Sequence, residues 1–190
     1  MPTYMEKRKD IFALEGEWRT SLTKADTVNA ALVFLEQIAG VQFIFRKVAT
    51  EQDLHYYLDK ATQKSYQNYR IIYLSFHGDP GILYLHGRRN RVTLESLGER
   101  FPLAFKDKIV HFGTCKTLEM DAHELKAFKK ATGAALVSGY TSDVDFIDST
   151  LLDIAYFAWL QRRERISTLD KVLAKHYPGM YERLGFKMVK

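Results

Sequence analysis

A chain of 190 residues that is 46% hydrophobic and 27% charged has the composition of one globular domain with a sizeable core, so a single domain over residues 1–190 is expected. The first ten residues are charged and lack an apolar stretch, and the longest apolar run, around residues 151–160, is about half a membrane span and contains Asp153. This argues against a leader or a spanning helix, and one cysteine excludes an internal disulfide, so a cytoplasmic protein is expected.

Ile11-Phe12-Ala13-Leu14 reads as a first buried strand, preceded by a loose amino terminus over residues 1–10. Val28, Ala31, Leu32, Leu35 and Ile38 recur at helical spacing until Gly40 stops them. A second strand is predicted over residues 41–45, and Thr50 with Asp53 predicts a capping box for a helix along Leu54, Tyr57, Leu58 and Ala61. The third strand covers residues 70–76. Gly78-Asp79-Pro80-Gly81 then turns the chain into a β-hairpin, residues 82–85 against Val92, with its tip at Gly87-Arg88-Arg89-Asn90. Leu94, Leu97 and Phe101 predict a short helix, residues 109–115 a strand, and Leu118, Ala122, Leu125 and Phe128 a helix closed by Gly133. A strand over residues 134–140, helices over 148–161 and 167–176, and a last strand near 186–189 complete the pattern. Alternating strands and helices predict an α/β fold, a mostly parallel sheet covered on both faces in a three-layer α/β/α sandwich, plus the small hairpin.

The net charge of +5 is spread over small clusters at residues 7–9, 88–91 and 162–165. Without a recognition motif or interleaved aromatics these read as solvated surface, and nucleic-acid binding is a distant alternative.

Two of the predicted neighbouring strands end in chemistry: one in His77-Gly78, the other in Cys115. A free thiol, with a pKa of about 8.5, needs a neighbouring base to act as a nucleophile near neutrality, and His77 is placed to be that base. The amides of Gly78 and Cys115 are candidates for an oxyanion hole, and a helix opening after Lys116-Thr117 would favour the thiolate. A buried, inert cysteine and a hydrogen-bonded histidine are the competing reading. His111 shares a strand face with Cys115 but stands roughly 13 Å away along it, too far to be the partner. His77, His86, His111 and Cys115 lack a recognised metal spacing, so neither metal nor other cofactor is expected.

The segments Ser75-Phe76-His77-Gly78 and Phe112-Gly113-Thr114-Cys115-Lys116-Thr117, with a hairpin between them, resemble the caspase-like superfamily of cysteine peptidases, which includes caspases, gingipains, separases and bacterial CHAT proteases. Leu14-Glu15-Gly16-Glu17-Trp18 and residues 138–145 further resemble a small bacterial family associated with CHAT-like peptidases. The resemblance implies strand order 2-1-3-4-5, His77 as general base, Cys115 as nucleophile, and Gly78 with Cys115 as oxyanion donors. It departs at Lys116-Thr117-Leu118, where CHAT proteins commonly have a Gly-containing turn.

In that strand order Glu15 and Glu17 leave the first strand beside His77, where one would orient the imidazole, unless both are surface carboxylates. Asp143 and Asp145 leave the fifth strand beside Cys115, where they would hold a basic substrate side chain, unless they cap the following helix. The leading expectation is a cysteine endopeptidase forming a thioester acyl-enzyme, preferring a basic residue before the cut, with a protein or peptide substrate brought by a recruiting or regulatory partner. The alternative is an inactive caspase-like interaction module.

Overall fold

The computed structural model describes residues 9–19, 21, 23, 26–87, 90–162 and 166–190. In chain order its elements begin with β1 (Ile11–Glu15), α1 (Asn29–Ala39), β2 (Phe43–Lys47), α2 (Glu51–Thr62), β3 (Ile71–Ser75) and β4 (His77–Asp79). There follow β5 (Ile82–His86), β6 (Asn90–Thr93), α3 (Leu94–Arg100), β7 (Ile109–Phe112) and α4 (Ala122–Thr132). The last are β8 (Leu136–Tyr140), α5 (Phe146–Arg162), α6 (Leu169–His176), α7 (Pro178–Arg183) and β9 (Phe186–Val189).

The central sheet has the order β2-β1-β3-β7-β8-β9. Its first five strands are parallel, and β9 pairs antiparallel with β8. With the strands of the small sheet left out of the numbering, the five parallel strands have the predicted 2-1-3-4-5 order. Both faces are covered because the strands are apolar at successive positions and strand side chains alternate in direction. Phe12, Leu14, Ile72 and Leu74 pack in one core with Leu54, Leu58 and Leu125 from α2 and α4. Ile11, Ala13, Ile71 and Tyr73 pack in another with Leu35, Leu152 and Leu160 from α1 and α5. Each such leucine contributes roughly 1.5–3 kcal/mol of transfer free energy.

Several expectations shift. The β2 ladder begins two residues late and runs into Arg46 and Lys47, whose exposure an edge strand tolerates. Thr50 accepts the Asp53 N–H as predicted, but its hydroxyl donates to the Asp53 carboxylate instead of leaving that carboxylate to the Thr50 N–H. The hairpin has a third strand, β4, so His77 lies in a small antiparallel sheet of order β4-β5-β6. β7 stops at Phe112, and Cys115 sits in the loop beyond it. α4 starts only at Ala122, under a capping box of Asp121 and Glu124, and Leu118 precedes it in the loop. The amino end of that helix therefore does not follow Lys116-Thr117 as expected.

Of the expected loose amino terminus, residues 1–8 lie outside the described residues, as do Arg88, Arg89 and residues 163–165 of the basic clusters. Lys9 is buried: its ammonium donates to the Leu160 carbonyl at 2.8 Å and its main chain exchanges hydrogen bonds with Gln161. No helix among the described residues is long and apolar enough to cross a membrane.

Candidate active site

The carboxyl ends of β1, β3 and β7 meet at one edge of the sheet. Glu15, the last residue of β1, is fully buried, and a buried carboxylate requires partners. It accepts hydrogen bonds from Trp18 Nε1 at 2.8 Å, Thr27 Oγ1 at 2.8 Å and the Val28 N–H at 2.7 Å, and pairs with Lys47 at 2.8 Å. None of these partners is His77, so Glu15 does not contact the imidazole it was expected to orient. Its effect is indirect, because it fixes Trp18, and the Trp18 carbonyl oxygen lies 2.8 Å from His77 Nε2. Glu17 is turned along the small sheet, its N–H donating to Leu85 O and its main chain bridged to His86.

A carbonyl oxygen only accepts, so Nε2 of His77 carries the proton and Nδ1 holds the lone pair of the neutral ring. The Trp18 ring stands edge-on to the imidazole at 5.1 Å and to Phe146 at 5.2 Å. Gly78 lies against the Cys115 loop: a Cβ there would stand 2.7 Å from the Cys115 carbonyl oxygen and would overlap Thr117 Oγ1. Only glycine allows that approach.

Cys115 is partly buried. Its thiol donates to the Val144 carbonyl at 3.7 Å and accepts the Val144 N–H at 3.4 Å. Among the described residues no hydrogen bond joins Cys115 to His77. The two nevertheless line one cleft of about 280 Å³, together with Trp18, Arg19, Asp26, Gly113, Val144, Phe146 and Ser149.

Asp143 and Asp145 do not line it. Asp143 pairs with Lys116, and this bond raises the Lys116 ammonium pKa. Asp145 caps α5, its Oδ1 accepting from the Ile147 and Asp148 N–H groups at 2.9 and 3.1 Å. The capping alternative thus describes Asp145. The carboxylate in the cleft is Asp26, paired with Arg19 at 2.5 Å. Lys116 itself has φ +53°, the left-handed conformation that glycine adopts without strain.

Beneath the cleft lies a buried polar network. His111 is fully buried, with Nε2 2.7 Å from Asp153 Oδ1 and Nδ1 2.9 Å from Ser138 Oγ. Tyr73 and Tyr140 also donate to Asp153, at 2.6 and 2.5 Å. Burial, reinforced by the Asp153 charge, pushes both phenols well above their usual pKa. Gly113, which lines the cleft, packs directly on this network, because a Cβ there would stand 2.6 Å from the Tyr73 ring. Among the described residues no group of three His, Cys, Asp or Glu is placed to hold a metal ion.

Residues 8–190 match a family described as a family of unknown function, DUF6642. The chain belongs to this family. No curated protein matches the DUF6642 chain. Among solved structures, the crystal structure of caspase-1 from Spodoptera frugiperda is similar with a TM-score of 0.58 at 11% identity, over 90% of this chain and 78% of that one. At that identity the likeness establishes a caspase-like fold for the DUF6642 chain.

The residues that sequence reasoning missed act through the main chain or through distant loops. The Trp18 and Val144 contacts to His77 and Cys115 are made by backbone atoms, which leave no mark in residue types. Asp26 lies in the polar loop between β1 and α1, where a charged residue carries no signal of its own.

Proposed function

We propose that this DUF6642 chain is a cysteine peptidase of the CHAT-like kind, with His77 as base and Cys115 as nucleophile. The observation that carries the reading is that both residues line one cleft while His77 Nε2 is committed to the Trp18 carbonyl, leaving Nδ1 as the proton acceptor. Nδ1 takes the thiol proton and Sγ attacks the carbonyl carbon of a peptide bond. The C–N bond then breaks, the amine leaves with the proton returned by His77, and a thioester remains on Cys115. Water then gives a proton to Nδ1 and attacks the thioester carbonyl carbon; the C–S bond breaks, Sγ leaves and takes the proton back from Nδ1, and the free acid is released. Pro80-Gly81 is a two-residue connection, so Asp79 and Ile82 form the hydrogen-bonded pair beside the turn and Gly78 the next, non-bonded position. Its N–H is thereby directed away from β5 and, with that of Cys115, is the candidate oxyanion donor.

The substrate is a protein or peptide, delivered by a recruiting partner. A basic residue before the cut would be read by Asp26, exchanging Arg19 for the substrate cation, in place of Asp143 and Asp145.

One observation favours the second reading, an inactive interaction module: the thiol is hydrogen-bonded to Val144 and not to His77. A peptidyl acyloxymethyl ketone distinguishes the two. Peptidase function requires labelling of Cys115 near neutral pH and at least tenfold slower labelling in His77→Ala; equal rates in the two proteins, or no labelling, would leave the module.

A further inference from the structure

We infer that the opposite edge of the sheet carries a binding site for a small phosphate-bearing ligand. At the amino ends of β3 and β7 a cleft of about 450 Å³ is lined by Lys64, Arg70, Lys106 and Lys108 with the amide side chains of Gln63, Gln67 and Asn68. One carboxylate, Asp107, joins four cations there.

Elsewhere Arg100 pairs with Asp59, Lys116 with Asp143, Arg183 with Asp148 and Lys190 with Asp170, whereas Arg46, Lys60 and Lys175 are without an ion pair among the described residues but do not stand four to a cleft. Among the described residues none of the four cleft cations is ion-paired. Arg70 gives only Nε to a neighbour, the Asp107 carbonyl at 3.3 Å, and its two terminal nitrogens make no hydrogen bond within the described chain. A guanidinium with that edge unused is suited to two phosphate oxygens at once.

Lys108 is the anchor. It is buried, and it donates to the carbonyls of Tyr66 and Tyr69 at 3.0 and 2.8 Å, which leaves one of three ammonium hydrogens unused. Burial, and after it the nearby Arg70 charge, lowers its pKa to about 8. An anion would relieve the repulsion between Arg70 and Lys108. The volume suits a small molecule, and the four cations are gathered in one concavity, not laid along a stripe that could follow a polymer backbone.

The site is independent of the proposed dyad, since Arg70 and Lys108 immediately precede the strands whose far ends lead to His77 and Cys115. It stands or falls without regard to peptidase activity.

Titration calorimetry on the intact chain, at constant ionic strength and without phosphate buffer, tests it with inorganic phosphate, pyrophosphate, ATP and a single-stranded oligonucleotide as separate titrants. The expected result is saturable binding of at least one of the three small titrants with millimolar or tighter Kd, weakened tenfold or more by Arg70→Gln and by Lys106→Ala. Arg46→Gln and Lys175→Ala, on other surfaces, should leave the affinity unchanged. ATP or pyrophosphate binding tighter than inorganic phosphate would place more than one phosphate in the cleft, and equal affinities would place one; both support the site. Absence of saturable binding, equal losses in the Arg46 and Lys175 controls, or affinity confined to the oligonucleotide would overturn it. Lys108→Met removes a structural contact as well and is for that reason not the deciding variant.

Discussion

His77 Nε2 meets the carbonyl oxygen of Trp18 at 2.8 Å, and the indole of the same Trp18 is tied to the buried carboxylate of Glu15. The imidazole is thus steered by a main-chain atom whose position depends on an acid that never touches it. Removing that acid leaves Trp18 Nε1, Thr27 Oγ1 and the Val28 N–H without their acceptor.

Glu15→Ala should therefore destabilise the fold by on the order of 3 kcal/mol, from several buried donors left unpaired. Glu15→Gln, which keeps one acceptor oxygen, should lose less. Urea unfolding gives both values, and Trp18 fluorescence should shift to the red in the alanine variant as the indole is released to water. Cys115 labelling that stays at the wild-type rate in a folded Glu15→Gln protein would show that the Trp18 loop does not govern the imidazole.

Gly78→Ala drives a methyl group into the Cys115 carbonyl and Thr117 Oγ1. Overpacking of this kind costs roughly 1–3 kcal/mol. Thr117→Ala removes one of the two obstructions, so the double variant should be more stable than the sum of the single changes. Strict additivity in denaturant titrations would mean that the two residues do not press on each other.

Lys116 holds a backbone conformation that suits glycine, beside the candidate nucleophile, with its ammonium on Asp143. Lys116→Gly and Lys116→Ala both lose the ion pair, but only the glycine variant also relieves the backbone. The glycine variant should therefore melt at a higher temperature than the alanine variant, the reverse of the usual order of these residues. The glycine-containing turn expected from CHAT-like proteins would be reproduced by that single change.

Tyr73 and Tyr140 have pKa values well above the usual one, and Tyr156 is raised as well, chiefly by burial. The folded chain then keeps protons that the unfolded chain releases above about pH 10. With more protons bound in the folded state, stability falls as pH rises through and beyond that value. Absorbance titration should find these phenols silent until the chain unfolds, while exposed tyrosines ionise earlier. Smooth ionisation of all eleven tyrosines before any loss of far-UV dichroism would contradict the buried network.

Lys108 behaves in the opposite sense. Its pKa is lowered from 10.5 to about 8 by burial first and by Arg70 second. Between those values the unfolded chain binds the extra proton, so its contribution to stability rises from pH 8 to about 10.5 and is flat below. Comparing wild type with Lys108→Met across that range in urea should show the rise in the wild type alone.

The parallel core was legible because its strands are apolar at successive positions and are separated by helical spacings. The neighbouring placement of the strands that lead to His77 and Cys115 came instead from the resemblance, which implies the order 2-1-3-4-5. β4 was not legible: His77-Gly78-Asp79 has no strand character and becomes a strand only because β5 returns alongside it. α7 was missed because Pro178-Gly179 reads as a turn, although proline suits the first turn of a helix. Asp143 and Asp145 have the same residue type and nearly the same position, so sequence spacing could not separate an ion pair from a helix cap. The Trp18 and Val144 contacts to the candidate dyad are main-chain contacts, and residue identity says nothing about where a carbonyl points.

His77 belongs to the small sheet, whereas Cys115 sits in a loop of the large one. The spacing between the His77 imidazole and the Cys115 thiol is therefore a property of how one sheet seats on another, through Gly78 against the Cys115 loop and the Gly81 N–H on the Thr117 carbonyl at 3.1 Å. Reactivity of the thiol is in this sense a gauge of that seating. Amide exchange along β5 and the alkylation rate of Cys115 report on the same joint from its two sides.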